Sequence, residues 1–217
     1  MERRAMNTAP DGTVTGNHYD KYGTRNPIAR LLMKGFEENL DGLFTRAAPT
    51  SLLDIGCGEG VWTHAWALRM GEGSRVVGLD LEDARLRAEW AKRSASNLEF
   101  RVRPDGPLPF GDDAFDVVSA IEVLEHVPDP ENVLSEMVRV GRRYLLVSVP
   151  REPIWRALNM VRGAYLRDLG NTPGHIQHWS RRGFLNLLSK HGRVEEVRTP
   201  LPWTMALVRI GSKAEKA

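Results

Sequence analysis

Two carboxylates and an imidazole stand close together in the run Glu122-Val123-Leu124-Glu125-His126, and two further histidines follow at His175 and His178. If a helix begins at Glu122, then Glu122 and Glu125 share a face and His126 lies one turn from Glu122. Two carboxylates and an imidazole on one face can hold a divalent cation. Such an ion clamps neighbouring hydroxyls, lowers their pKa, and makes an alkoxide or phenolate near neutral pH. Glu122 and His126 are therefore candidates for aligning an acceptor and removing its proton. The plainer reading is that the acid orients a ligand while the histidine caps or packs.

The residues that must position this group begin at Ser51. In SLLDIGCGEG, three apolar residues bracket Asp54, and Gly56, Gly58 and Gly60 follow at every second position. An apolar run closed by glycines and followed by a helix, here 61–70, is a strand–loop–helix unit. Glycines there let the backbone turn tightly and approach a ligand. The helix start offers free N–H groups to it. A second apolar strand, 75–79, ends at Asp80, whose carboxylate can accept both hydroxyl protons of a ribose. That supports an adenosine ligand without naming which. A tight turn is the alternative for the glycines alone.

The remaining elements follow in order. Asn26 before Pro27 reads as a cap and first helical residue, opening a helix over 27–45. Residues 82–96 read as a helix, 97–103 as a third strand and 115–120 as a fourth, running into Glu122. A helix with apolar Val133, Leu134, Met137 and Val138 and a fifth strand at 143–149 come next. Alternating strands and helices with short links imply an α/β, doubly wound, mostly parallel sheet. Over 150–171, Ile154, Trp155, Leu158, Val161, Tyr165, Leu166 and Leu169 fall at helical spacing, with Arg156, Arg162 and Arg167 between them. This is either a capping helix over a pocket or an amphipathic element on a membrane surface. Ser180 caps a helix over 181–190, and 193–198 and 205–210 are the last strands.

The 217 residues suit one domain, and 41% hydrophobic with 27% charged residues is ordinary for a globular chain. A formal charge of +2 is too small to argue for a nucleic-acid partner. Cys57 is the single cysteine, which excludes an intrachain disulfide and a Cys-rich zinc site. No apolar run reaches a membrane span, and the N-terminus has no signal-peptide core, so the expectation is a cytoplasmic protein. Between Arg139 and Arg182 there are nine arginines against two acids, Glu152 and Asp168. That is a solvated basic face or a surface for an anionic substrate or membrane. Residues 1–17 and 211–217 read as flexible ends around one domain, 18–210.

The D-x-G-x-G-x-G stretch, the PDGPLPF turn leading into FDVV, and EVLEHV resemble the class I S-adenosylmethionine (SAM)-dependent methyltransferases. Within them the likeness is to the ubiquinone/menaquinone-biosynthesis-like (methyltransferase type 11) branch. The resemblance implies a Rossmann-like sheet of seven strands with an antiparallel last strand. It also implies an N-terminal helical lid (18–48, with Tyr19 and Tyr22) and a helical cap insertion (151–180). It assigns SAM to Asp54, Gly56, Gly58, Gly60, Asp80 with Leu81, Asp105 with Gly106, and Glu122. Asp105 would take the adenine amino group, although relatives often have one more residue before LPF. The later GHIQHWS segment extends the likeness to metal-using ubiquinone-pathway O-methyltransferases and to the plant small-RNA 2′-O-methyltransferase. The metal ligands of the latter fall on Glu122, Glu125, His126 and His175, implying Mg²⁺ or a similar ion. His178 is then left for substrate or base.

Three functions follow from this. The first is methyl transfer to a small-molecule or lipid-linked acceptor, with a hydroxyl the expected site and membrane contact through 151–170. The second is RNA 2′-O-methylation, favoured by the downstream histidine and the arginines but lacking an accessory RNA module. The third is a SAM-binding protein without catalysis. The acceptor and the oligomeric state are not specified by the sequence.

Overall fold

The computed structural model describes residues 7–8, 14–15, 26–104, 106–161 and 163–211. The readings made for Tyr19, Tyr22, Asp105, Arg162 and the tail after Gly211 fall outside these residues, as does most of 1–17. Within 1–17, β1 (Asn7–Thr8) pairs antiparallel with β2 (Val14–Thr15).

Seven strands form the main sheet: β3 (Ser51–Ile55), β4 (Arg75–Asp80), β5 (Leu98–Val102), β6 (Phe115–Ile121), β7 (Gly141–Pro150), β8 (Arg193–Arg198) and β9 (Trp203–Arg209). Their order is β5-β4-β3-β6-β7-β9-β8. β3, β4, β5, β6 and β7 run parallel, and β9 lies antiparallel to both β7 and β8. This is the expected mostly parallel, doubly wound sheet with an antiparallel last strand. The chain direction across the sheet reverses between β3 and β6. The crevice at the carboxyl ends of those two strands is where open α/β sheets bind ligands.

Alternation along the strands explains the layers. Leu52, Val76, Val117, Leu146 and Leu207 face one side, where α1 (Pro27–Ala47) and α2 (Val61–Met70) supply Phe36, Leu40, Leu43, Phe44 and Trp66. Leu53, Val77, Val118, Leu145 and Val208 face the other, against Leu134 and Met137 of α4 (Pro130–Val140) and Phe184 and Leu188 of α6 (Arg181–Leu188). Because side chains alternate with a period of two, strands apolar at nearly every position must be covered on both faces.

The caps are those the sequence announces. Asn26 Oδ1 accepts from the N–H groups of Ile28 (2.9 Å) and Ala29 (3.3 Å), and Ser180 Oγ accepts from Gly183 N–H (3.1 Å). Each satisfies otherwise orphaned first-turn donors. Two helical elements fall well short of what the spacing predicts. The helix expected over 82–96 is α3 (Ala84–Trp90), capped by Asp83. The helical region expected over 150–171 is α5 (Ile154–Val161) and a single 3₁₀ turn, Leu166–Asp168. Left-handed backbone at Tyr165 and Leu169, followed by Gly170 at φ +77°, ends the helical path there.

Candidate active site

The glycine loop links β3 to α2. Its first N–H groups, Gly56 and Cys57, both donate to Leu79 O on β4 (2.7 and 3.0 Å), which curls the chain back over the sheet edge. A Cβ on Gly60 would lie 2.5 Å from the Phe100 ring, so helix and strand can meet only over glycine. At Gly58 the need is different: φ is +54°, and a Cβ would meet nothing within 4 Å. That residue faces open space, as a ligand-facing backbone must. Trp90 holds it from behind, stacking on Phe100 at 5.3 Å and donating its indole N–H to Gly58 O (2.8 Å).

Asp54 works from inside the loop. It is 3% exposed, and its oxygens accept from Thr63 Oγ1 (2.6 Å) on α2 and Ser119 Oγ (2.7 Å) on β6. Burial pushes its carboxyl up to about 6, with the two hydroxyls pulling the other way and Asp80 adding to the rise. The carboxylate thus ties loop, helix and central strand together.

Asp80 ends β4 and accepts from Gly58 N–H (2.6 Å) and from Leu81 N–H (2.7 Å), bringing together three of the residues expected at the cofactor. Burial raises its pKa, against the pull of those two N–H groups. Gly106 is exposed at φ +88°. The turn after it is held by α4. Leu108 N–H donates to Glu136 (2.8 Å), and Arg139 donates to Leu108 O (3.0 Å) and Phe110 O (2.8 Å).

At the end of β6 the structure departs from the sequence expectation. No helix starts at Glu122. It adopts φ +59°, and a 3₁₀ turn, Leu124–His126, follows. A left-handed backbone costs a residue with a Cβ roughly 1–2 kcal/mol, a strain that clusters at functional sites. The reversal separates the two glutamates that helical spacing puts on one face. Glu122 Oε1 accepts from Ser148 Oγ (3.0 Å) on β7, and Oε2 accepts from Trp203 Nε1 (2.7 Å) on β9.

Three of the four expected metal ligands do converge. Ligand atoms of Glu125, His126 and His175 all lie within 4.8 Å of one another, and Glu122 is not in that group. Glu125 is 1% exposed. Its backbone carbonyl accepts from Ile176 N–H (2.9 Å) and Gln177 N–H (3.1 Å), which fastens the 171–178 segment to the turn. The His126 and His175 rings meet edge to face at 4.9 Å. His126 Nδ1 lies 2.9 Å from Gly174 O, which can only accept, so Nδ1 carries a proton and Nε2 is the ligand atom of the neutral ring. A backbone carbonyl that fixes the far ring nitrogen in this way is the usual support of a metal-ligating histidine. The buried carboxylate, two imidazoles and this support fit a divalent ion. Imidazole-rich sets favour Zn²⁺ or Fe²⁺ over the oxygen-seeking Mg²⁺. His178 is exposed, with Nε2 2.8 Å from Asn171 Oδ1.

Sequence reasoning passes over Trp203 and Ser148, and reads Trp155 only as part of the apolar face of a capping helix. Trp155 stacks on His175 at 5.7 Å, donates to Thr172 Oγ1 (2.9 Å), and meets Trp203 edge to face at 5.8 Å. Their roles depend on strand register, since Ser148 lies beside Ile121 on one side and Met205 on the other. A tryptophan directly after a proline, at the mouth of the last strand, is the one local signal.

The Methyltransferase domain family matches residues 53–144, which span the glycine loop, Asp80, Glu122 and the 3₁₀ turn. Residues 53–144 are a class I SAM-dependent methyltransferase domain. The sequence is 31% identical over 125 residues to Ubiquinone biosynthesis O-methyltransferase of Pseudomonas putida, covering 55% of this chain and 53% of that one. It is 32% identical over 149 residues to Demethylmenaquinone methyltransferase of Shouchella clausii, covering 64% and 63%. The chain therefore spans between half and two thirds of the length of these relatives. A solved SAM-dependent methyltransferase of Aquifex aeolicus shares the fold, with a TM-score of 0.65 at 20% identity over 86% of this chain and 94% of that one. Over these residues the chain is similar to methyltransferases of ubiquinone and menaquinone biosynthesis, and SAM is the cofactor of the class I methyltransferases. Among the described residues, no helix is long and apolar enough to cross a membrane.

Proposed function

We propose that the protein transfers the SAM methyl group to a hydroxyl of a small-molecule or lipid-linked acceptor, of the hydroxylated-ring kind that precedes quinones. The observation that carries this reading is the Glu125–His126–His175 group beside the ligand edge of the sheet. The relatives named for ubiquinone and demethylmenaquinone support the acceptor class. SAM already bears an electrophilic methyl, so the protein's share is to align the acceptor and take its proton. Glu125, His126 and His175 would hold a divalent ion, which when bound lowers the pKa of a coordinated hydroxyl. His178 is the candidate proton acceptor, with Asn171 orienting its ring.

The second half of the cap segment favours a lipid-linked acceptor met at a membrane surface. Val161, Leu166 and Leu169 are 86%, 58% and 65% exposed, beside Arg167. An exposed apolar edge with an arginine beside it suits a bilayer surface.

The test uses 3,4-dihydroxybenzoate, a water-soluble vicinal diol, as probe acceptor and follows formation of S-adenosylhomocysteine (SAH). Release of SAH that stops with chelator and returns with Zn²⁺, Mn²⁺ or Mg²⁺ supports the reading, as does its loss in His126→Ala and His175→Ala with SAM affinity kept. Chelator-resistant turnover, unchanged in both variants, removes the metal. SAM binding without transfer to the diol or to any hydroxylated ring tried favours a binding protein.

A further inference from the structure

The Glu122 side chain sits in a setting the metal group does not explain. Both of its carboxylate oxygens accept from neutral donors, Ser148 Oγ at 3.0 Å and Trp203 Nε1 at 2.7 Å. Ser148 closes the loop from the other side, because its hydroxyl and its carbonyl both lie 3.2 Å from the Glu122 N–H. One serine thus fixes both the backbone and the side chain of a residue in a left-handed conformation.

Further aromatic rings pack on the Trp203 indole that holds this carboxylate. Trp203 meets Phe36 of α1 edge to face at 4.8 Å and Trp155 of α5 at 5.8 Å. Phe36 in turn lies 6.3 Å from Trp62, the second residue of α2, directly after the glycine loop. The next residue along from Glu122 touches that loop too: a Cβ on Gly56 would fall 2.5 Å from Val123 Cγ2. The turn that carries Glu122 therefore packs on the loop that receives the cofactor, and the ring cluster reaches the helix that follows that loop. A carboxylate beside a cluster of aromatic rings is an environment that attracts a weakly hydrated cation.

We infer that Glu122, held by Ser148 and Trp203, is the group by which the domain recognises the positive sulfonium of SAM and distinguishes it from the neutral thioether of SAH. Ser148 and Trp203 are positioning residues that act through Glu122. A carboxylate that attracts the charged donor more than the uncharged product favours loading of SAM and departure of SAH after each transfer. The inference rests on SAM being the methyl donor and requires neither the metal nor a particular acceptor.

Calorimetric titration of the full chain with SAM and with SAH tests it. Glu122→Gln is expected to weaken SAM roughly tenfold and to leave SAH within about twofold. Trp203→Phe keeps the ring packing and removes the donor; Ser148→Ala removes the hydroxyl. Each is expected to weaken SAM selectively by roughly three- to tenfold, and Ser148→Thr to restore it. Because both residues act through one carboxylate, the double variants Glu122→Gln/Trp203→Phe and Glu122→Gln/Ser148→Ala should bind SAM as Glu122→Gln does alone. Equal losses for SAM and SAH, additive losses in the double variants, or no change in any variant would overturn the inference. If the wild type bound SAH but did not prefer SAM, the inference would fall while the family reading stood. If it bound neither, both would fall.

Discussion

Asp54→Asn should stabilise the protein at neutral pH while removing a charged residue from its cofactor loop. The wild-type carboxyl is 3% exposed and titrates at about 6, against 3.8 for an ordinary aspartate, because burial outweighs the Thr63 and Ser119 hydroxyls. At ~1.4 kcal/mol per pKa unit, that difference corresponds to roughly 3 kcal/mol. The folded chain binds this proton more tightly than the unfolded chain does. The group's favourable contribution is therefore complete below pH 3.8 and is lost as pH rises through about 6. Above that, the ionised carboxylate burdens the native state, whereas an asparagine carries no such term. The hydrogen bonds disturbed by the change cost about 1 kcal/mol each at every pH. Ser119 Oγ offsets part of this, since Leu53 O is an alternative acceptor at 3.3 Å. The pH-dependent part is thus the clean signal. Measured by urea and thermal unfolding from pH 3 to pH 8, the variant should gain about 3 kcal/mol on the wild type across the range. That corresponds to roughly 6–12 °C in Tm for a chain of this size. A gap that stays constant with pH would refute the argument that burial of a charge dominates at Asp54.

The two glycines of the loop should separate folding from binding. Gly58→Ala meets open space and loses about 1–2 kcal/mol to its left-handed backbone, so it should fold yet bind SAH at least tenfold more weakly. Gly60→Ala drives a Cβ against Phe100 at φ +75°, and its loss should appear first in the melting temperature. Asp116→Asn should destabilise the sheet by roughly 2–4 kcal/mol, read by urea unfolding. Asp116 Oδ2 accepts from Thr50 N–H (2.9 Å), Thr50 Oγ1 (2.7 Å) and Ser51 N–H (3.3 Å), while Arg142 binds the other oxygen. Burial works to raise its pKa, but the Thr50 and Arg142 bonds hold it down at about 2. The stability it adds is therefore present above pH 3.8, and the gap to Asp116→Asn should shrink as pH falls through about 2.

What could be read from the chain was what depends on local chemistry. Gly56, Gly58 and Gly60 announce themselves because only glycine takes their backbone angles cheaply, and Asp80 because an acid ending an apolar strand has few other uses. Asn26 and Ser180 mark helix starts through bonds that span two or three residues. Glu122 was misplaced for the complementary reason. Its spacing to Glu125 and His126 suits a helix, but the strand runs on to Ile121 and then reverses. The reversal is held by Ser148 and Trp203, residues 26 and 81 positions away. Only the register of β7 and β9 brings them there. His175 reaches Glu125 by the same kind of long-range fastening, through the Ile176 and Gln177 amides. That convergence became legible through resemblance, since spacing alone says nothing about a contact across 50 residues.

Methyl transfer from SAM to oxygen can be followed by mass spectrometry with SAM carrying a trideuterated methyl. With 3,4-dihydroxybenzoate and a divalent ion, the expected product is heavier by one labelled methyl, borne on a ring oxygen, with one SAH formed per product. A labelled methyl on carbon would contradict the hydroxyl as acceptor. Intact labelled SAM after incubation with every hydroxylated ring tried would contradict catalysis itself.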